Sequence, residues 1–292
     1  MIKEHSNRYT LRNRYLFKGS LVMQTALHIG GGRITLSGSN NPVVLTPEEI
    51  PFIPGSSFKG SLRSTVEKLV PSLAPNLFSC ALIELSPEEL EEAHKAKEQI
   101  CSTARQKEII QERRDNPGRV EAILKQARED CCATCQLFGS PFAASRVAVN
   151  DLYIPEGTWN DGLQIRDGVA IDRDSEKAKD RLKYDFEVVP ASIAFEFEMT
   201  LENATPQDLQ LISVGLSEFV HGFAPIGGKR SRGLGACRLE NLRVSALELE
   251  LTAGINEKTR NDRLRDYLID RKFSSEEDGK TFLDRQIHLL FA

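Results

Sequence analysis

The sequence lacks any apolar run long enough to cross a membrane, and it lacks an excess of positive charge. No stretch approaches the ~20 apolar residues that a bilayer requires. The first residues carry charges every few positions, unlike the apolar segment of a secretion signal. We therefore expect a soluble, cytoplasmic protein without a membrane partner. The formal net charge is −4, so any nucleic-acid binding would depend on local clusters of cations.

Familiar catalytic and nucleotide-binding signatures are also missing. The glycine-rich segment 225–235 lacks the Gly-Lys-Ser/Thr ending of a phosphate-binding P-loop, and it does not match the dinucleotide fingerprint. The spacing supports no Ser-His-Asp constellation. With 40% hydrophobic residues among 292, the chain can bury the core of one elaborated domain.

Hydrophobic patterning predicts four strands in the core. The third is the clearest, because apolar and polar residues alternate strictly along it. The predicted strands cover residues 14–29, 146–153, 191–202 and 235–250.

Two helices separate these strands. The first is predicted over about 57–70, with Ser56 and Ser57 as N-cap candidates. The second begins at Thr205-Pro206, where threonine caps and proline takes the first helical position, and Gly222 ends it. The resulting order, β-α-β-β-α-β, predicts an α+β fold with a ferredoxin-like (RRM-like) core.

Two insertions and a tail elaborate this core. A charged, helix-prone insertion covers about 80–135, and a polar segment of about 160–190 separates the second and third strands. Long connections of this kind are often functional. We expect residues 1–254 to form a single domain and residues 255–292 to form a charged C-terminal helical extension.

Five of the six cysteines fall in the insertion region. Cys132 and Cys135 have the two-residue gap of a zinc knuckle, and Cys80 and Cys101 could complete a set of four thiolates. His94 or Cys131 could replace one of these ligands, and reduced cysteines without a metal are the alternative to a site. Because four protein ligands leave no open position, we expect the zinc to be structural.

A first cationic segment, PGSSFKGSLR (54–63), leads from a loop into the first helix. Helix N-termini favour anions, because their N–H groups are free and the helix dipole is positive there. Lys59 and Arg63 share one helix face, opposite Phe58 and Leu62, so one face can pack while the other binds phosphate. The alternative is an ordinary amphipathic helix with two solvated charges.

A second cationic segment, PIGGKRSRGLG (225–235), places Lys229, Arg230 and Arg232 among four glycines. Glycine lets the backbone approach a ligand closely, and such a loop suits phosphate and sugar contacts that position a nucleic acid. The alternative is a mobile turn. Three cations in four residues are costly to bury, which favours an acidic partner.

Together these segments resemble the RAMP superfamily of CRISPR proteins. PGSSFKGSLR resembles its signature helix, while HIGGG (28–32) and GGKRSRGLG resemble its first loop and its glycine-rich loop. Residues 166–190, RDGVAIDRDSEKAKDRLKYDFEVVP, resemble the thumb of type III backbone subunits of the seventh Cas family. The CxxC pair followed by LFGS is similar to those subunits too, and the resemblance covers about 14–250.

The resemblance implies an RNA-binding role in antiviral defence. Such subunits stack with neighbouring backbone subunits and other type III effector subunits along a CRISPR guide RNA, and they present the guide to complementary target RNA. The thumb would form a hairpin that enters between guide and target. The residues implied to contact RNA are Ser56, Ser57, Lys59, Arg63, Arg33, Lys229, Arg230, Arg232, Arg166 and Arg173.

The first loop bears on catalysis, because many family members carry an aspartate there that drives metal-dependent RNA cleavage. Arg33 aligns with that position, and there is no carboxylate between Thr25 and Pro47. An arginine cannot act as a base or a metal ligand at neutral pH. We therefore expect binding without cleavage at this loop, and we assign no catalytic residue.

Three alternatives remain open. The chain could be a metal-dependent target-RNA endoribonuclease that uses a thumb acid, Asp167, Asp172 or Asp174. It could be a guide-processing endoribonuclease that uses His28 and His221 as acid and base. It could also be a protein scaffold, which would show no salt-dependent affinity for RNA.

Overall fold

The computed structural model describes residues 10–31, 41–73, 77–81, 86, 88–89, 91–92, 101, 103–160, 162–171, 178–251 and 255–292. Five residues named above lie outside these ranges, so the predictions placed on them stay predictions. They are Arg33, His94, Asp172, Arg173 and Asp174.

The described residues form nine strands and seven α-helices, which confirms the predicted α+β class. The strands are β1 (Asn13–Met23), β2 (Phe52–Ile53), β3 (Val147–Val149), β4 (Leu152–Tyr153), β5 (Gln164–Ile171), β6 (Ala178–Val188), β7 (Ala194–Glu202), β8 (Cys237–Glu248) and β9 (Ser275–Asp278). The helices are α1 (Gly55–Leu73), α2 (Thr103–Asp115), α3 (Val120–Glu129), α4 (Ala133–Phe138), α5 (Pro206–His221), α6 (Glu257–Asp270) and α7 (Gly279–Leu290). None of these helices is both long and apolar enough to span a bilayer.

The main sheet has five antiparallel strands in the order β3-β7-β1-β8-β9. The longest pairings join β1 to β7 and to β8, so β1 lies at the centre. β9 comes from the C-terminal segment and pairs with β8. The segment predicted as a helical extension therefore also contributes an edge strand.

The core lies between the main sheet and its helices. Phe195, Phe197, Met199 and Leu201 alternate with exposed or half-buried residues along β7, and all four are buried. Phe58 of α1 joins three elements, because its ring centroid lies 4.9 Å from that of Phe197 and 4.8 Å from that of Phe219 in α5. The C-terminal helix α7 adds Phe282 and Leu283 to the same core.

Helix α5 has the ends that the sequence predicts. The Thr205 hydroxyl accepts a hydrogen bond from the Asp208 backbone N–H at 3.2 Å, and the Asp208 carboxylate accepts one from the Thr205 N–H at 2.8 Å. Pro206 is the first helical residue, and Gly222 ends the helix with a φ of 81°. This capping box and left-handed C-terminus satisfy backbone groups that the helix itself leaves unpaired.

Two predicted strands differ from the structure. β1 ends at Met23 rather than at residue 29, because the N–H groups of Gln24 and Thr25 both turn to the Ala236 carbonyl. The strand predicted at 146–153 is two short strands. The first, β3, joins the main sheet, whereas β4 pairs with β2 in a separate sheet.

The predicted hairpin in the segment 160–190 is present as the two-stranded antiparallel sheet β5–β6. Its base is tied to the chain after β1, where Leu27 and Val189 exchange two backbone hydrogen bonds of 2.9 and 2.8 Å. The hairpin is thereby placed beside the loop that follows β1.

Candidate functional site

Three separate segments meet at one place: the loop after β1, the glycine-rich segment before β8 and the base of the β5–β6 hairpin. His28, in the loop after β1, contacts both of the other segments. Its carbonyl accepts a hydrogen bond from the Gly228 N–H at 2.9 Å, and its Nδ1 donates to the Glu187 carbonyl at 2.7 Å. Its ring also meets Phe186 edge to face, with centroids 5.6 Å apart. The structure thus brings together the two loops and the hairpin that the sequence singled out.

Glycine is required at two close contacts of the glycine-rich segment, one with the first loop and one within the segment itself. Gly227 and Gly235 both have a φ of +81°, which L side chains rarely adopt. A Cβ at Gly227 would lie 2.5 Å from the His28 carbonyl oxygen, and a Cβ at Gly235 would lie 1.9 Å from the Ile226 carbonyl oxygen. The glycine-rich segment therefore packs against the first loop at Gly227 and folds back on itself at Gly235.

The cations of this turn lie on aromatic rings of the hairpin. Lys229 Nζ is 4.4 Å from the ring centroid of Phe186 and 5.1 Å from that of Tyr184. The Arg232 guanidinium lies 5.5 Å from the Tyr184 centroid. Cations are attracted to the negative face of an aromatic ring. We call these four residues the cation–aromatic cluster.

The sequence reasoning missed Tyr184 and Phe186. A signal was present, because the two aromatics alternate with the acids Asp185 and Glu187 at the period of a strand. Phe186 is buried, whereas Tyr184 is half-buried and lies across Gly168 of the facing strand. A Cβ at position 168 would lie 2.3 Å from the Cζ atom of Tyr184, so the ring occupies the space that a larger residue there would need.

Two further predicted cations lie beside this cluster. Arg166 is exposed and is opposite Phe186 in the β5–β6 register, so both side chains share one face of the hairpin. Arg230 is exposed as well, but its guanidinium is anchored. It donates to the Gly227 carbonyl at 2.9 Å and to the Ser61 hydroxyl of α1 at 3.2 Å.

The two predicted cations of α1 have partners within the chain. Lys59 Nζ donates to the Ser145 hydroxyl at 2.7 Å and to the Val147 carbonyl at 2.9 Å. Burial, and then the charge of Arg63, lower the pKa of Lys59. Arg63 donates to Glu67, Gly139 and Cys135. Both side chains are half-buried, so this face of α1 packs against the chain that precedes and forms β3.

The N-terminus of α1 also has a partner within the chain. The Asp151 carboxylate accepts a hydrogen bond from the Gly55 N–H at 2.7 Å. The helix begins at Gly55, so Ser56 and Ser57 lie in its first turn and are not its N-cap, as the sequence had suggested. Ser56 is exposed and Ser57 is half-buried. An anion of the chain itself thus lies where a phosphate was expected.

The described groups proposed for catalysis, Asp167, His28 and His221, have different surroundings. Asp167 is exposed on the hairpin and lies opposite Asp185 in the register. His221 bonds back to the Ser217 carbonyl of its own helix at 2.8 Å, whereas His28 belongs to the loop junction.

The four predicted metal ligands come together from distant parts of the insertion. Cys80, Cys101, Cys132 and Cys135 are all buried, and their sulfur atoms lie within 4.8 Å of one another. The Sγ of Cys80 is 3.5 Å from that of Cys135 and 3.6 Å from that of Cys132. These four residues are called the cysteine centre below.

The geometry of the cysteine centre fits a tetrahedral metal ion. Zinc–sulfur bonds of about 2.3 Å place neighbouring sulfurs about 3.8 Å apart, close to the two separations above. All the cysteines are free rather than paired in disulfides. Cys131 is not one of these four sulfurs. Its thiol donates to the Ala127 carbonyl at 3.3 Å and also contacts Cys101. The four buried sulfurs could therefore hold one metal ion.

Within the cysteine centre the pKa values of Cys80 and Cys132 are lowered, whereas those of Cys101 and Cys135 are raised. A hydrogen bond with Cys101 is the main cause that lowers the pKa of Cys80 to about 7. Hydrogen bonds from Cys101, Cys135 and Cys80 hold the pKa of Cys132 well below its ordinary value. Thiolates are the form of cysteine that binds metals.

The model of the RAMP superfamily matches residues 20–238 of this chain. The CRISPR system Cms endoribonuclease Csm3 of Methanocaldococcus jannaschii is 24% identical over 271 residues, which cover 87% of this chain and 89% of that protein. The protein of the same name from Streptococcus thermophilus is 22% identical over 252 residues, or 79% of this chain and 89% of the relative. That of Methanothermobacter thermautotrophicus is 41% identical over 59 residues, which are 19% of this chain and only 24% of the relative. Since the family model spans most of its length, this chain belongs to the RAMP superfamily.

Proposed function

We propose that this chain is a guide-RNA-binding backbone subunit of a type III CRISPR effector, which presents the guide for pairing with target RNA. The observation that carries the proposal is the convergence of the first loop, the glycine-rich turn and the hairpin base around four cations, of which Arg166, Arg230 and Arg232 are exposed and Lys229 is half-buried. Similarity to two Csm3 proteins along most of their length supports the assignment to a CRISPR effector. Other effector subunits and copies of this chain would be its protein partners.

Local charge explains how an acidic protein can bind RNA. The net charge is −4, yet Arg166, Lys229, Arg230 and Arg232 lie around one junction. Contacts to phosphate position a nucleic acid without reading its sequence. That property suits a subunit that must accept any guide. The Tyr184 ring, half-buried beneath two cations, adds a face on which a base can stack.

The core that carries this surface is proposed to be ferredoxin-like. The four predicted core strands correspond, in chain order, to β1, β3, β7 and β8. In the sheet they lie in the order β3-β7-β1-β8, so the second predicted strand is followed by the third, the first and the fourth. One helix follows the first strand and another follows the third. Such a core places both the first loop and the glycine-rich turn at one end of the sheet, since β1 leads into one and β8 follows the other.

We propose that the subunit does not cut RNA at its first loop, because no carboxylate lies between Thr25 and Pro47. The alternative is a target-RNA endoribonuclease, and the names of the relatives favour it. In that case Asp167, with Asp185 opposite to it, is the described acid to test.

We also propose that the cysteine centre holds a structural zinc ion. Zinc bound to four thiolates would cross-link distant parts of the insertion, and it would leave no open position for chemistry. Cys80 and Cys101 would then be joined to the CxxC pair at the start of α4. The support is the burial and the mutual proximity of the four sulfurs.

The RNA-binding proposal is tested with the purified chain and guide RNA over a range of salt concentrations. The double substitution Lys229→Ala and Arg232→Ala removes both cations of the cluster. The matched control is Arg113→Ala with Arg114→Ala, two exposed cations at the end of α2. Because the variant neutralises two fewer phosphates, its slope of log affinity against log salt should be shallower by about 1.4 for single-stranded RNA.

The control should retain the wild-type affinity and slope. Equal binding by the wild type and the cluster variant would contradict the proposed surface. Cleavage is tested with the assembled complex, labelled complementary target RNA and Mg²⁺. A cut opposite this subunit that disappears with Asp167→Asn would replace the binding-only proposal with the endoribonuclease alternative.

A further inference from the structure

The side chain of Arg63 extends from α1 to the cysteine centre, and it is only 16% exposed. Its Nε donates to Glu67 Oε1 at 2.7 Å and its Nη1 to the Gly139 carbonyl at 2.8 Å. Its Nη2 donates to Cys135 Sγ at 3.3 Å. All three nitrogens of the guanidinium therefore have partners within the chain, and one of those partners is a sulfur of the centre.

Charge explains why a cation belongs there. Four thiolates and one divalent ion together carry two negative charges, and the cysteines of the centre are at most 4% exposed. A buried charge needs a counter-charge or hydrogen bonds to offset its lost hydration. Other donors also face the sulfurs, since the Cys132 N–H points to Cys101 Sγ at 3.4 Å. Arg63 supplies a positive charge as well as an N–H, and it shares that charge with the Glu67 carboxylate.

We propose that Arg63 is an outer-sphere residue of the metal–thiolate centre, and that it transmits the state of that centre to the RNA-binding turn. The proposal rests on the zinc centre and the RNA surface proposed above. Arg63 is thus a positioning residue, which touches a ligand of the metal and not the RNA. Groups of this kind orient the ligands of a metal and tune its affinity.

The path from the centre to the turn is short. Arg63 and Ser61 lie two residues apart in α1. The Ser61 hydroxyl donates to the Pro225 carbonyl at 2.9 Å, and it accepts from Arg230 Nη2 at 3.2 Å. Because α1 is one continuous helix, fixing Arg63 against the centre fixes Ser61 beneath the glycine-rich turn.

The test uses the full-length chain loaded with Zn²⁺ or with Co²⁺. Arg63→Met removes the charge and the donors while keeping a long apolar side chain. Arg63→Lys keeps the charge but loses the planar set of donors. The matched control is Arg113→Met, at an exposed position of α2. Zinc loss is followed as transfer to a chromophoric chelator, and the Co²⁺ form reports the thiolate-to-cobalt charge-transfer band.

We expect Arg63→Met to release zinc about 10–100-fold faster than the wild type, in line with other outer-sphere groups. Its cobalt band should shift, because Cys135 loses a hydrogen bond. Arg63→Lys should fall between Arg63→Met and the wild type, and Arg113→Met should match the wild type. In the metal-loaded state Arg63→Met should also bind guide RNA several-fold more weakly.

Wild-type zinc release and an unshifted cobalt band in a folded Arg63→Met protein would overturn the outer-sphere role. Altered release with unchanged guide affinity would overturn the transmission to the turn. Circular dichroism establishes folding. If Arg63→Met does not fold, Arg63→Lys decides, and release at the wild-type rate then overturns the proposal. A wild-type chain that binds no zinc overturns the centre itself, whichever residue stands at position 63.

Discussion

The glycine-rich turn offers a matched pair of substitutions, because two of its glycines share one backbone conformation but differ in their surroundings. Gly233 and Gly235 both have a φ of +81°. A Cβ at Gly233 would meet no described neighbour within 4 Å, whereas one at Gly235 would lie 1.9 Å from the Ile226 carbonyl oxygen. Replacing each with alanine therefore separates backbone strain from a steric clash.

The strain alone is small. An L residue in the left-handed region costs about 1–2 kcal/mol, and alanine recovers about 0.4–1 kcal/mol by stiffening the unfolded chain. Gly233→Ala should therefore lower the free energy of unfolding by roughly 1 kcal/mol. Gly235→Ala carries the same strain, and it must also push the Ile226 backbone away. Overpacking of this kind typically adds about 1–3 kcal/mol.

Urea denaturation of both variants and the wild type measures the difference, provided that the m-value is unchanged. We expect Gly235→Ala to be the less stable variant by about 1–3 kcal/mol. It should also weaken guide-RNA binding more, because the displaced turn carries Lys229 and Arg232. Equal unfolding free energies for the two variants would refute the close contact between Gly235 and Ile226.

Two further predictions concern cysteines. Cys135→Ser should lower the metal content from about one zinc per chain to well under one and should lower the melting temperature, as measured by elemental analysis and calorimetry. Cys131→Ser should keep its zinc, since Cys131 is not one of the four mutually close sulfurs, and equal loss in both variants would contradict the ligand set. Burial raises the pKa of Cys237 from 9.0 to about 12, so the folded state holds this proton more tightly than the unfolded state does. The stability that the neutral thiol contributes is complete below pH 9 and is lost as the pH rises towards 12. As the pH rises from 9 to 12, the free energy of unfolding should therefore fall less for Cys237→Ala than for the wild type. Parallel curves of unfolding free energy against pH for the two proteins would contradict this.

Local sequence signals predicted the elements whose causes are local. Helix α5 begins and ends where Thr205-Pro206 and Gly222 predict, because caps and left-handed glycines act over one turn of chain. The alternation along β7 predicts which of its side chains are buried. The CxxC spacing identifies half of the cysteine centre. Such features depend on only a few neighbouring residues, so they can be predicted from the sequence.

Features that depend on distant partners could not be predicted in this way. The sequence places Lys59 and Arg63 on one helix face, but it does not show that Val147 and Cys135 lie against that face. Nor does it show that Asp151 meets the start of α1. Whether a cation faces solvent or a carbonyl depends on contacts between residues far apart in the chain.

The sequence by itself determined the α+β class, the two cationic segments and the cysteines, because period, capping and ligand spacing are local properties of the chain. Tertiary structure alone decided that the first loop, the glycine-rich turn and the hairpin meet at His28, with Tyr184 and Phe186 beneath Lys229. It also decided that the C-terminal segment adds β9 to the sheet. The physical reason is that hydrogen bonds and ring contacts across long sequence separations form only once the core has packed.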